Sequence, residues 1–334
     1  MVQGRRHWNT IDFIKGLLII LVFWGHLIVG EQRTTFLRYV IYSFHMPIFI
    51  GVSGFLFNIK KRPEEMIKYY SNRIIVPWCI AIGIYYAMNV ILGIERFSAR
   101  EIIHNFIFPY YHLWFVLGLL SYILFTYILC KVLKKFGGGG RKTVDFSIVI
   151  LALLVSIASQ WDLLAGLKST WLGGIYTFFR VLQLNKYIFF VLGFYLRQYY
   201  ENRGYIIGHK IKKVLVILLI LNVIALVGLF PYRNTFLEKS LLFTLNIPLL
   251  FLVLHYGLME HKHKCKVIEW VGVYSYPIYL YHILVKFISS FLMGEGTIGY
   301  YIIGNLGFIV LCVMIFLLKD KKYIAKYIFG SVRK

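Results

Sequence analysis

Long uninterrupted apolar segments dominate the chain, and short polar or basic loops separate them. Each segment has about twenty residues, which is the length an α-helix needs to cross roughly 30 Å of hydrocarbon. Backbone groups in lipid must be satisfied within the protein, and continuous rather than alternating apolar runs predict helices instead of barrel strands. The pattern predicts ten spans, at residues 11–30, 37–58, 74–93, 112–131, 144–162, 184–200, 214–231, 240–258, 267–291 and 298–318.

The predicted fold class is therefore all-α, a polytopic membrane protein with a bundle of about ten transmembrane helices. Hydrophobic residues make up 59% of the 334 residues, and the mean hydropathy is +0.71. The first apolar run follows Arg5 and Arg6 but contains ionisable residues and has no small-residue cleavage site, so we interpret it as a retained helix. We expect a single transmembrane domain over residues 1–334.

The basic residues predict the orientation. Lys and Arg number 37 against 14 Asp and Glu, which gives a net charge of +23. With the N-terminus inside, the ten spans place 27 basic residues on the inner side and 10 on the outer side, in agreement with the positive-inside rule. We therefore expect both termini to be cytosolic.

The distribution of charge and cysteine also limits the partners. The basic residues are divided among short loops, so no basic domain is present to grip nucleic acid, and anionic lipid or a phosphorylated cytosolic substrate is the better expectation. His261, His263 and Cys265 alternate with lysines in a way that does not match a zinc site, so no metal is expected. All cysteines fall toward the cytosolic half in this topology, and no disulfide framework is implied: Cys79, Cys130, Cys265 and Cys312.

Four ionisable residues lie within the apolar stretches 11–30 and 42–55: Asp12, Lys15, His26 and His45. A charged group in hydrocarbon is unfavourable by at least about 2.5 kcal/mol, so such residues are functional-site candidates. On one helix, Lys15 and His26 share a face about 16 Å apart. Asp12 is close enough to pair with Lys15 but not with His26. A group that fixes the His26 tautomer must therefore come from another helix.

The candidate residues also suit purely structural roles. Asp12 and Lys15 also suit an interfacial ion pair, and His26 suits a packed histidine. Arg73, at the start of the third span, is either a phosphate-binding cation or a positive-inside anchor. Trp114 lies in an aromatic cluster typical of an interfacial belt. In the segment 162–186, Arg180 either faces an outer pocket or lies at the interface.

Counting residues from the span ends places several histidines at similar depth, in the outer half of the membrane or at its rim: His26, His45, His112 and His282. We expect His26 to meet at least one of the others. By depth alone, Ser53, Tyr279 and His282 are candidates to stabilise a developing oxyanion. Pro277 allows a kink in the ninth span.

The chain resembles the integral-membrane acyltransferase-3 family, especially its fucose 4-O-acetylase-like branch. The resemblance lies in five segments that occur in family order: IDFIKGLLIILVFWGH, FHMPIFIGVSGFLF, RIIVPW, HLWFVLGLL and YSYPIYLYH. It implies a bacterial cell-envelope enzyme of the inner membrane that modifies polysaccharides. Such an enzyme moves an acyl group, usually acetyl, from cytosolic acyl-CoA to a hydroxyl of a glycan or lipid-linked sugar.

The resemblance implies that His26 is the catalytic histidine and that Lys15 is its basic partner. Many relatives have arginine at the position of Lys15. Arg73 becomes a candidate for the CoA phosphates. We see no extra esterase-like domain of the kind that some relatives append, so we expect direct transfer to the acceptor. His26 acts either as a general base on the acceptor hydroxyl or as the acylated group.

Depth and resemblance together give three sets of candidate residues. The catalytic set is His26, His282 and Ser53. The acyl-CoA set is Lys15, Arg73 and Asp12. The acceptor set is His45, Trp114, Arg180 and Tyr279. The alternative function is an exporter of a sugar or lipid-linked saccharide, with buried charges lining a pathway. A third possible function is that of a structural subunit of a glycan-synthesis complex. A homo-oligomer is compatible with all three functions.

Overall fold

The computed structural model describes residues 9–30, 35–136, 141–203, 209–232, 235–258 and 265–330. Within these residues the secondary structure is helical and contains no β-strand. Nine helical segments in this part of the chain are long and apolar enough to cross a membrane. The predicted fold class, an all-α polytopic membrane protein, is therefore confirmed, whereas the side on which the termini lie stays a prediction.

Fourteen α-helices, numbered along the chain, form the described part: α1 (Asn9–Leu27), α2 (Phe36–Leu56), α3 (Pro63–Tyr70), α4 (Val76–Ile91), α5 (Ala99–Ile107), α6 (Trp114–Phe136), α7 (Arg141–Gln160), α8 (Gly173–Val181), α9 (Tyr187–Arg203), α10 (His209–Leu229), α11 (Phe236–Leu258), α12 (Lys266–Val273), α13 (Ser275–Met293) and α14 (Ile298–Leu318). Short 3₁₀ or π turns connect some of them. The chain forms two compact units, and each unit combines two separate segments. A single domain over residues 1–334 stays a prediction.

Helix α1 lies at the centre of the first unit, which comprises Met1–Leu56 and Leu192–Cys312. It contacts α2, α11, α12 and α13. Ile11, Ile19 and Phe23 of α1 are almost fully buried. A helix whose apolar residues are covered on several sides belongs to the core of its unit. The ionisable residues of α1 are therefore held within protein packing.

Two glycines allow α1 and α12 to approach at backbone distance. A Cβ at Gly272 would lie 1.6 Å from the carbonyl oxygen of Asp12, and a Cβ at Gly16 would lie 2.1 Å from that of Ile268. Small residues permit such close approach between membrane helices. Helix α12 therefore covers the end of α1 that carries Asp12 and Lys15.

The predicted ninth span, residues 267–291, is wrong as a single helix. The structure divides it into α12, which ends at Val273, and α13, which begins at Ser275. Pro277 has no N–H to donate to the carbonyl of Val273, and its ring crowds that carbonyl. The helix is therefore interrupted at a single residue, Tyr274, where a kink was expected, and only α13 is long enough to be a candidate span.

The predicted sixth span, residues 184–200, is also altered. A 3₁₀ turn occupies Leu184–Lys186, and α9 begins only at Tyr187. Its 17 residues measure about 26 Å along the helix axis, slightly less than the hydrocarbon thickness. Near its end, Arg197 pairs with Glu201 at 2.9 Å. The charged last turns shorten the apolar part of this helix.

The second unit comprises Phe57–Val191 and Val313–Lys334. In it, α3 continues through a π-helical turn, Ser71–Ile75, into α4. Arg73 lies in this turn, and Gly330 packs so closely on it that a Cβ there would be 2.1 Å from the Arg73 carbonyl oxygen. π-Turns are frequent at functional sites, so Arg73 occupies a distinctive backbone position.

Candidate active site

Two histidines from different helices meet in the first unit. The imidazole rings of His26, on α1, and His282, on α13, have centres 5.2 Å apart. The expectation that His26 meets another of the histidines is confirmed. Because His26 belongs to the last turn of α1 and His282 to the middle of α13, the pair joins two elements of the unit's core.

A tyrosine from a third helix holds His26. The hydroxyl of Tyr42, on α2, lies 3.2 Å from Nδ1 of His26. The ring of Tyr42 also lies edge-on to the ring of His45, with centres 5.0 Å apart. The partner that fixes the His26 ring therefore comes from another helix, as the helix geometry predicted. His45, Tyr42, His26 and His282 form one continuous chain of side chains, which we call the histidine cluster.

The tautomers of the two outer members of the cluster follow from their hydrogen bonds. Nδ1 of His282 lies 2.8 Å from the carbonyl oxygen of Tyr279, and Nδ1 of His45 lies 2.6 Å from that of Ile41. A carbonyl only accepts, so both Nδ1 atoms carry the proton. In the neutral ring, each of these histidines has its lone pair on Nε2.

Exposure separates His26 from the other two histidines. His45 and His282 are 2% and 0% exposed, whereas His26 is partly exposed. A group that reacts with a substrate must be reachable, and a group that supports it need not be. Of the three histidines in the cluster, His26 is therefore the one with an exposed surface.

Sequence reasoning missed two residues of this region, Tyr42 and Arg38. The guanidinium of Arg38 lies beside Tyr42, with its central carbon 5.4 Å from the Tyr42 ring centre. Nη1 of Arg38 also donates to the carbonyls of Ile28 and Gly30 at the end of α1. Positions 38, 42 and 45 have the i, i+4, i+7 spacing of one helix face, and that spacing was the available signal.

At the other end of α1, Asp12 and Lys15 form an ion pair. Nζ of Lys15 lies 2.8 Å from Oδ1 of Asp12, and the side chains of Lys15 and Asp12 are 17% and 14% exposed. The predicted pairing is confirmed. Because the carboxylate offsets the ammonium charge, the pair as a whole attracts an anion less than Lys15 alone would.

Ser53 and Tyr279 have local roles in the structure. The Ser53 hydroxyl donates to the carbonyl of Phe49 on its own helix, at 2.9 Å. Ser53 follows His45 by eight residues on α2, which corresponds to about 12 Å along the axis. Tyr279 takes part in the histidine cluster through its carbonyl, which accepts from His282. Catalysis by Ser53 and acceptor binding by Tyr279 stay predictions.

Arg73, in the second unit, lies beside another cation. Its guanidinium carbon is 5.5 Å from the ring centre of Tyr69, and Nζ of Lys61 is 3.4 Å from the same ring centre. Two cations on one aromatic ring form a local positive surface. This surface is compatible with phosphate binding, and the role of Arg73 stays a prediction.

Trp114 and Arg180 share a cleft of about 370 Å³ in the second unit. Tyr111, Thr177 and Gln183 also line this cleft, which we call the aromatic cleft. The predicted topology places residues 93–112 and 162–184 on the same side of the membrane, and the meeting of these segments is compatible with it. The two predicted acceptor residues of this unit therefore lie together.

A polar network supports Arg180. Its Nη1 donates to Asp162 at 3.0 Å and to the Tyr176 hydroxyl at 3.2 Å, and Tyr176 donates to the same carboxylate. The hydrogen bond with Tyr176 and the nearby Asp162 charge raise the pKa of Arg180 above its usual value. The guanidinium therefore remains positively charged at the cleft.

Backbone strain is concentrated at the same place. Among the described residues, the non-glycine positions with positive φ are Tyr111 (43°), Asp162 (54°) and Gln183 (51°). Each such position costs of order 1–3 kcal/mol and persists only where the surroundings enforce it. At Gln183 the enforcing group is the buried Tyr122, whose hydroxyl donates to the carbonyls of Leu182 and Gln183.

The described residues contain no group of three or more His, Cys, Asp or Glu that is arranged to hold a metal ion. His261 and His263 of the HKHKCK segment lie outside the described residues. The cysteines of the described residues are free thiols: Cys79, Cys130, Cys265 and Cys312.

The sequence model of the acyltransferase-3 family, described as an acyltransferase domain, matches residues 8–318. The chain therefore belongs to this family, and its apolar helices are those expected of a multi-pass membrane protein. It is also similar to the nodulation protein NolL of Sinorhizobium fredii (strain NBRC 101917 / NGR234), with 28% identity over 58% of this chain and 50% of that protein. The match thus covers about half the length of that relative. No solved structure matches the chain.

Proposed function

We propose that the protein is an acyl-CoA-dependent O-acyltransferase that moves an acyl group, typically acetyl, to a hydroxyl of a glycan or lipid-linked sugar. The observation that carries the proposal is the histidine cluster, in which the partly exposed His26 is held by Tyr42 and packed beside His282. Membership of the acyltransferase family supplies the reaction type. The fucose 4-O-acetylase-like branch and a location in the bacterial inner membrane belong to the same proposal.

In the proposed reaction, His26 is the general base. It accepts the proton of the acceptor hydroxyl while the hydroxyl oxygen attacks the thioester carbonyl. The C–S bond then breaks, CoA leaves as a thiolate and takes up the proton, and an ester is formed. Tyr42 keeps the His26 ring oriented through its contact with Nδ1. Acylation of His26 itself is the competing route, and a transient acyl-protein that is trapped by rapid denaturation near neutral pH and discharged by hydroxylamine would identify it.

Lys15 supplies the positive charge at the donor end of α1. It lies about 16 Å from His26 along the same helix face, so a donor lying along α1 reaches both residues. Asp12 holds the Lys15 ammonium in place, and Arg73 is the proposed phosphate contact of the second unit. No metal is required in this scheme, because the base and the cations are side chains.

Release of CoA thiol separates this function from the exporter. The purified protein in lipid nanodiscs is expected to bind acetyl-CoA and to release free CoA when surface glycans of the producing cells are added as acceptor. Thiol detection measures CoA, and mass spectrometry of the glycans measures the added acetyl groups. A protein that transports saccharide without binding acetyl-CoA or releasing CoA would be an exporter.

Substitutions at Lys15 and Asp12 are expected to shift acetyl-CoA affinity in opposite directions. Lys15→Ala should weaken binding about tenfold or more, because it removes a charged hydrogen bond and leaves Asp12 to repel the phosphates. Lys15→Arg should largely keep affinity, and Asp12→Asn should increase it, because the carboxylate no longer offsets the ammonium. Calorimetric titration at low and high salt measures these affinities.

The salt series provides the control. The difference between Lys15→Ala and the parent should shrink at high salt, since screening reduces charge attraction. Unchanged affinity of Lys15→Ala at low salt would make Lys15 a membrane anchor only.

A further inference from the structure

We infer that the aromatic cleft of the second unit is the acceptor site, and that it takes a saccharide bearing an anionic group, such as a carboxylate or phosphate. This inference rests on the proposed function, because it identifies the substrate that receives the acyl group. It also concerns a separate set of residues from the histidine cluster, so the two can be tested independently.

The walls of the cleft suit a sugar ring. Trp114 and Tyr111 both line the cleft, and Tyr111 is 51% exposed. Aromatic rings offer an apolar face with a polar edge, which matches the C–H face and the hydroxyl rim of a pyranose. Thr177 and Arg180 add polar groups to the lining of the cleft. A volume of about 370 Å³ lies within the ordinary range of small-molecule sites.

The charges at the cleft favour an anion. Arg180 lines the cleft and pairs with Asp162, whereas Lys186 is not a lining residue but donates to Gln183, which is one. Lys186 Nζ lies 5.4 Å from the Trp114 ring centre and 2.7 Å from Oε1 of Gln183. A carboxylate or phosphate on the sugar would therefore meet the Arg180 guanidinium beside the stacking surface, with the Lys186 ammonium behind Gln183.

Arg180 also has guanidinium N–H donors that the described residues do not use. Its Nη1 is used by Asp162 and Tyr176, and within the described part of the chain its other guanidinium nitrogens make no hydrogen bond. The guanidinium fork suits two-point binding of a carboxylate or phosphate. Asp162 thus fixes the side chain while part of the fork stays available to a ligand.

The strained backbone indicates that this shape is maintained. Tyr111 and Gln183 line the cleft with positive φ, and Asp162, which holds Arg180, has the same property. Gly118 lets the neighbouring turn approach α6, since a Cβ there would lie 2.9 Å from the Leu182 carbonyl oxygen. Strain held in place at a cleft is a recognised mark of a binding site.

An aromatic belt at the membrane surface would need none of these features. Trp171, in the same segment, is 89% exposed and fits a belt on its own. The residues of the aromatic cleft differ because they converge on one concavity and are tied to a charged network. For this reason we assign the cleft to a saccharide and treat lipid as an outcome of the test.

The test uses the full chain, immobilised in nanodiscs, and the water-soluble oligosaccharides released by mild acid from surface glycans of the producing cells. The parent protein should retain anionic oligosaccharides in preference to neutral ones, as identified by mass spectrometry. Trp114→Ala and Arg180→Ala should each reduce retention about tenfold, while Arg180→Lys should keep part of it. Trp171→Ala and Lys168→Ala are the matched controls, and both should retain the oligosaccharides like the parent.

Each result decides between the alternatives. Thermal unfolding of every variant shows that lost retention is not lost folding, and Trp114→Phe offers a milder change at the same site. Retention of phospholipid instead of oligosaccharide, equal retention by Trp114→Ala, or no retention by the parent would each overturn the inference. Acetyl-CoA binding by the parent is measured separately. Its absence would refute the acyltransferase proposal even where saccharide is retained.

Discussion

His26→Gln is expected to lower acyl transfer by about 10² to 10⁴, because a lost proton-transfer role typically has that effect on the rate. The variant should still fold and bind acyl-CoA, since Lys15 and the rest of α1 are unchanged. Loss of a membrane hydrogen bond to Tyr42 would reduce stability by only about 0.6 to 2 kcal/mol. Transfer rate and thermal stability, measured on one preparation with and without acyl-CoA, separate the catalytic role from a structural one.

Tyr42→Phe is the matched variant for this experiment. It keeps the ring that packs against His26 and His45 but removes the hydroxyl that contacts Nδ1 of His26. We expect a smaller loss of rate than in His26→Gln and a shifted pH profile of transfer, since the His26 ring loses a partner. Near-normal transfer by His26→Gln, or inactivity explained wholly by misfolding, would remove this histidine from the mechanism and favour the exporter.

Gly272→Ala should destabilise the protein strongly although it adds one methyl group. Its Cβ would lie 1.6 Å from the Asp12 carbonyl oxygen, which is backbone and cannot rotate away. Overpacking typically costs about 1–3 kcal/mol, and a clash with backbone belongs at or above the upper end of this range. The expected result is a lower unfolding temperature and reduced yield of folded protein in detergent.

Gly228→Ala supplies the control for this second prediction. It also lies in a helix, α10, but nothing stands within 4 Å of its added Cβ. Alanine is a better helix former than glycine, so this variant should be as stable as the parent or slightly more stable. Equal stability of the two variants would show that α1 and α12 do not need their close approach.

The sequence was sufficient for the features that depend on helix geometry alone. Charge and spacing on one continuous helix predicted that Asp12 pairs with Lys15 and that the partner of His26 comes from elsewhere. The apolar runs predicted the fold class, because a span of about twenty residues has few other solutions. The meeting of His26 with His282 followed from similar depth, and only the structure selected His282 among the histidines.

Other features depended on tertiary contacts and were missed. Arg38 and Tyr42 resemble ordinary interfacial residues until the end of α1 is seen beside them. The division of the ninth span into α12 and α13 was not predicted, because a proline at 277 is compatible with one kinked helix as well as with two helices. The link between Trp114 and Arg180 joins positions 66 residues apart, and no local pattern connects them.

Helix α1 also fixes the spacing between two groups of polar residues. Its unbroken turns from Asn9 to Leu27 set both the distance and the angle between the ion pair and the histidine cluster. One residue inserted between Lys15 and His26 would increase their separation along the helix axis by only about 1.5 Å. It would also rotate His26 by about 100° around the axis, away from Tyr42 and His282. The number of residues in this part of α1 is therefore constrained more tightly than most of the side chains along it.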